Sequence, residues 1–93
     1  MHYLYILYSK STDRFYVGQS SDVLSRLDLH NTHHFKGAFT KIASDWEIAM
    51  AFPCTQKKDA LFLERFVKRM KSKAFIRKVI AHPEILTAIL ANQ

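Results

Sequence analysis

The chain has 93 residues, enough for one domain and no more. Hydrophobic residues make up 48%, charged residues 24%, and Gly and Pro number two each. That composition is globular and excludes collagen-like, low-complexity and long flexible linker segments. The formal net charge is +6. It is concentrated from Lys57 to Lys78, where nine Lys and Arg face two acids, Asp59 and Glu64. Such a stripe suits a phosphate-rich partner.

Tyr3 to Tyr8, YLYILY, is aromatic and branched and predicts a buried strand. The polar segment SKSTDR, 9–14, predicts a turn, and Phe15 to Gln19 a second strand, so the pair reads as an antiparallel hairpin. Ser20, Ser21 and Asp22 are N-cap residue types before a helix, VLSRLDLHN. Val23, Leu24, Leu27 and Asn31 are expected on one side of it, with Arg26 and His30 together beside that stripe. From Thr32 to Asp45 periodicity fades into a loop with a turn at Gly37. Trp46 to Phe52 predicts a third strand that Pro53 ends.

Thr55 to Met70 has the clearest helical pattern, with Leu63, Phe66, Val67 and Met70 toward the core and Phe62 on the flank. Ser72 breaks this helix, and Ala74 to Ile80 continues as another. Pro83 to Leu90 predicts a tail helix with Ile85, Leu86, Ile89 and Leu90 on one side. The fold class is therefore a small α/β (α+β) domain, a three-stranded antiparallel sheet flanked by helices in the order β-β-α-β-α-α, with residues 81–93 packing on the same domain.

One cysteine, Cys54, makes no internal disulfide and is expected as a small buried hydrophobe. The first residues lack a basic leader and a cleavage site, and no apolar run approaches the ~20 residues of a membrane span. The expected location is cytoplasmic, away from membranes, as a monomer or weak homodimer.

The polar residues able to do chemistry are Tyr5, Tyr16, Arg26, His30 and Glu64. The two tyrosines lie on adjacent hairpin strands, and their hydroxyls converge if both face one side. Arg26 and His30, four apart on a helix, could clasp a phosphate. Glu64 stands on a face with Lys57, Lys68 and Lys71. Either it pairs with Lys68 at i,i+4, or it holds a Mg²⁺ against a phosphate, since that ion binds through one or two carboxylates plus phosphate oxygens. His30, His33 and His34 have helical spacing for zinc, but no cysteine or acid completes that set.

Tyr3-Leu4-Tyr5 and Tyr16-Val17-Gly18, Arg26 ten residues past Tyr16, His30-Asn31 four later, and ALFLERFVKRMKSK at 60–73 together resemble the GIY-YIG nucleases. The resemblance runs from about residue 3 to residue 80. It is most similar to single-domain members related to the N-terminal domain of excinuclease C. It implies a nuclease domain over 1–80 that hydrolyses phosphodiester bonds in DNA, with RNA as the alternative substrate, and with a link to DNA repair. Tyr16 would be, or relay to, the general base. Arg26 would neutralise charge on phosphorus, and Glu64 would bind one Mg²⁺ or Mn²⁺. Tyr5 and His30 would orient water or phosphate. Lys57, Lys68, Lys71 and Lys73 would hold the nucleic acid. The chain departs from the pattern at Tyr3-Leu4 in place of Gly-Ile, at Val17 in place of Ile, and at Gln19, where the excinuclease members carry a lysine. Two other readings stand beside the enzyme: a non-catalytic nucleic-acid-binding module of the same fold, and an interaction subunit using the tail helix.

Overall fold

A computed structural model describes residues 1–32 and 39–93. His33, His34 and the expected turn at Gly37 lie outside the described residues. Strand β1 (His2–Ser9) pairs antiparallel with β2 (Arg14–Ser20) and with β3 (Trp46–Cys54), giving the sheet order β2-β1-β3. Helix α1 (Val23–Asn31) follows β2, and a short 3₁₀ turn, Phe39–Ile42, precedes β3. Helices α2 (Lys57–Met70), α3 (Lys73–Ala81) and α4 (Glu84–Ala91) complete the order β-β-α-β-α-α-α. The three-stranded antiparallel sheet with flanking helices agrees with the sequence reading. No helix among the described residues is long and apolar enough to cross a membrane.

The apolar run of β1 reflects its central place, with both faces covered. Strand alternation sends Leu4 and Ile6 to one face, where they join Val17, Leu63, Val67, Val79 and Leu86 under α2, α3 and α4. Tyr5 and Leu7 go to the other face and pack with Val23, Ala43 and Trp46, against α1. Cys54 is buried in the first cluster, where burial raises its thiol pKa. From the tail helix, Leu86 reaches the same cluster fully buried, with Ile85, Ile89 and Leu90 packed beside it.

Three local expectations need correction. Pro53 does not end β3, which continues to Cys54 with Pro53 opposite Tyr3. β3 is an edge strand, where a residue without an N–H is tolerated. A bulge between Ile6 and Leu7 of the β1–β3 register also shifts the alternation of β3. Leu24 is 72% exposed, and His30 takes the buried position on α1 beside Val23. Met70 is exposed, because α2 aims Ala60, Leu63 and Val67 at the sheet and Met70 falls in its last turn, next to the left-handed cap Lys71 (φ 49°). Ser72 separates α2 from α3 as expected, and it does so as the N-cap of α3, its hydroxyl accepting from the Phe75 amide at 3.0 Å.

Candidate active site

The hairpin register brings Tyr5 and Tyr16 together. Tyr5 pairs with Gly18 and Leu7 with Tyr16, so the two tyrosines are diagonal neighbours on one face, ring centroids 6.3 Å apart. Tyr5 is buried, and its ring lies across the bare backbone of Gly18. A Cβ on Gly18 would sit 2.6 Å from both Cζ and Oη of Tyr5. The glycine is thus required by close approach of the tyrosine.

Helix α1 starts directly after β2. The Asp22 carboxylate accepts from the Ser25 amide at 3.1 Å, and the Asp22 amide donates to the Ser20 hydroxyl at 3.0 Å. This tight junction sets the phase of α1 and delivers Arg26 and His30 to the tyrosines. The other end of α1 is pinned by Asn31. Its side-chain amide donates to the Trp46 carbonyl at 3.0 Å and accepts from the Trp46 backbone amide at 2.8 Å.

His30 is 3% exposed. Its Nε2 is 3.1 Å from the Tyr5 hydroxyl and its Nδ1 is 2.8 Å from the hydroxyl of buried Thr40. The Trp46 indole N–H fixes Thr40 by donating to its carbonyl at 2.8 Å. Burial, then the Arg26 charge, lowers the His30 pKa, so the ring is neutral at neutral pH. A neutral ring carries one proton. If it is on Nδ1, Tyr5 donates to Nε2; if it is on Nε2, Thr40 donates to Nδ1 and the Tyr5 proton is free to face the cleft. Burial first, then Tyr16, pushes the Tyr5 pKa well above its ordinary value, with Arg26 opposing. Tyr5 is therefore a proton-bearing donor. Tyr16 lies closer to His30, with ring centroids 4.7 Å apart and the ring planes tilted by 55°.

Glu64 reaches this group from α2, around the β2 edge. Tyr5, Tyr16, Gly18, Gln19, Arg26, His30 and Glu64 line one cleft of about 260 Å³. All five candidate site residues meet there. Lys68 donates to the Glu64 carboxylate at 2.9 Å and lies 5.5 Å from the Tyr16 ring centroid, so Glu64 pairs with Lys68 and also shares the cleft with the tyrosines. Gln19 lines the cleft too, and its side-chain carbonyl is hydrogen-bonded to the His2 ring.

A family model described as the GIY-YIG catalytic domain matches residues 1–78. The chain belongs to the GIY-YIG family. No curated protein and no solved structure matches it. The GIY-YIG domain is that of a nuclease family, which fits the two tyrosines, the arginine and the glutamate gathered in the cleft.

The basic residues are distributed unevenly around this GIY-YIG cleft. Lys68 lines a neighbouring groove and touches the cleft through its pair with Glu64. Lys71 lines the same groove, as does Lys73, which also donates to Asp13 at 2.9 Å. Lys57 opens α2, exposed, and lines neither. Sequence reasoning did not find Thr40 or the place of Lys68 over Tyr16. Thr40 falls in a segment without periodicity, and the contact of Lys68 with Tyr16 joins residues far apart in sequence.

A divalent ion can be tested against the donors present. Glu64 is the one carboxylate lining the cleft, its side chain 19% exposed, and no group of three or more His, Cys, Asp or Glu converges among the described residues. One carboxylate fits Mg²⁺ or Mn²⁺ if water and phosphate oxygens complete the shell, as is usual for Mg²⁺.

Proposed function

We propose that the chain is a metal-dependent endonuclease that hydrolyses phosphodiester bonds in DNA. The observation that supports this most is the convergence of Tyr5, Tyr16, Arg26, His30 and Glu64 on one polar cleft. Arg26 offers its guanidinium fork to the scissile phosphate and balances the charge that builds on phosphorus. Tyr16 relays the proton of the attacking water: its hydroxyl oxygen takes that proton as its own passes to solvent. The Lys68 ammonium beside its ring balances negative charge that enters the cleft with the phosphate. Tyr5 keeps its proton and donates to water or phosphate, held by the His30–Thr40 chain. Glu64 would hold one Mg²⁺ or Mn²⁺, which when bound supplies Lewis-acid activation of the phosphate and stabilises the leaving oxygen. Lys57, Lys68, Lys71 and Lys73 serve the nucleic-acid backbone.

The 2.9 Å Glu64–Lys68 pair favours a second reading, a nucleic-acid-binding module whose carboxylate serves only an ion pair. Plasmid, branched and single-stranded DNA incubated with Mg²⁺ or Mn²⁺ separates the two. The nuclease reading expects metal-dependent cutting that Glu64→Ala and Arg26→Ala abolish. It is wrong if every substrate stays intact, or if Glu64→Ala cuts as well as the parent.

A further inference from the structure

Tyr16 and Lys68 stand between two concavities. One is the polar cleft, lined by Tyr16 and by Glu64, the partner of Lys68. The other is a groove of about 430 Å³ that both residues line, a size typical of small-molecule sites. The two differ in chemistry. The groove has apolar walls from Phe15, Val67 and Ile76, and Arg14, Lys71 and Lys73 stand around it. Arg14 and Lys71 make no ion pair among the described residues. Apolar walls ringed by cations match a nucleotide, a flat π-surface attached to phosphate. A strand whose phosphodiester enters the cleft must carry a nucleoside past Tyr16 on one side.

A base inside a duplex has both faces covered by stacking and its edge engaged in pairing, so it cannot lie against such walls. An unpaired base can, and one base on an apolar or aromatic wall is a substantial, sequence-tolerant gain. We infer that the Phe15–Val67–Ile76 groove binds one unpaired nucleotide next to the phosphate held in the cleft, so that the substrate is a strand with an unpaired nucleotide beside the cut rather than continuous duplex. This rests on the nuclease reading for what the cleft holds. The basic stripe alone would favour any phosphate backbone; the walls of the groove add the requirement for a free base.

The test is binding with divalent metal chelated, so that it does not depend on cleavage. Fluorescence anisotropy compares a fully paired duplex with the same duplex carrying one unpaired, extrahelical nucleotide. Tighter binding of the second, by about ten-fold, is expected from one stacked base. Phe15→Ala and Ile76→Glu, which remove or charge the apolar walls, each with folding checked by circular dichroism, are both expected to reduce that preference below about two-fold. If Ile76→Glu fails to fold, Phe15→Ala alone decides. Equal affinity for the two ligands in the parent protein, no binding to either, or a preference that survives the substitutions overturns the inference. Absent cleavage with metal, alongside an intact preference without it, would sink the nuclease reading and leave the groove assigned.

Discussion

Leu63 and Glu64 are adjacent on α2 and serve opposite ends of the chemistry. Leu63 points into the cluster beneath α2, α3 and α4, where the buried residues are Leu, Ile, Val, Met, Ala and one Cys. Glu64 turns to the polar cleft, behind which Tyr5, His30 and Thr40 are buried in one hydrogen-bonded chain. The first region holds by removing apolar surface from water. The second holds by satisfying polar groups, each of which is costly to bury alone. A 93-residue domain can keep reactive groups partly desolvated because a separate aliphatic face carries much of its stability.

That contrast can be broken on purpose. The largest effect is expected from Glu64→Ala: cleavage falls about a hundredfold or more, while the melting transition hardly moves, since an i,i+4 pair contributes only about 0.3–0.5 kcal/mol. Leu63→Ala should do the reverse. Removing a fully buried leucine side chain costs about 2–5 kcal/mol by urea titration, with cleavage retained by the molecules still folded. Gly18→Ala should damage both regions at once, because the new Cβ displaces the Tyr5 ring. About 1–3 kcal/mol of stability is expected to go, together with activity.

A smaller effect is expected from pH. The folded His30 pKa lies below the unfolded value of about 6.5. As pH falls through 6.5 the unfolded chain takes up a proton that the native ring refuses, so stability falls as pH falls and is fully present above 6.5. Urea midpoints from pH 8 to pH 5 should drop in the parent and drop less in His30→Gln. The smallest effect is that of Lys71→Ala, which should lower the slope of log affinity against log salt by about one.

The same contrast explains what could be read from the sequence. β1 is legible because a central strand covered on both faces needs a continuous apolar run, and the aliphatic face of α2 is legible through Leu63 and Val67. Tyr16, Arg26, His30 and Glu64 are legible through spacing along hairpin and helix and through the family pattern. What spacing cannot carry is lateral. Leu24 looks apolar enough for the core, yet His30 takes the buried site on α1, because Tyr5 and Thr40 offer it hydrogen bonds there. Thr40 itself belongs to no periodic segment. Pro53 misleads because edge and central strands tolerate proline differently, and strand order is not written in a single strand. Lys68 is read on its own helix as a partner of Glu64, while its place over Tyr16 depends on how α2 crosses β2.

The central claim is that Glu64 is a metal-binding carboxylate and more than a salt-bridge partner. Crystals soaked in Mn²⁺ and examined by anomalous scattering test it directly. The account predicts one peak on the Glu64 carboxylate, facing Tyr16 and Arg26, with the Lys68 ammonium moved off it. An intact Glu64–Lys68 pair with no peak in the cleft, at Mn²⁺ concentrations that support cutting, would contradict it.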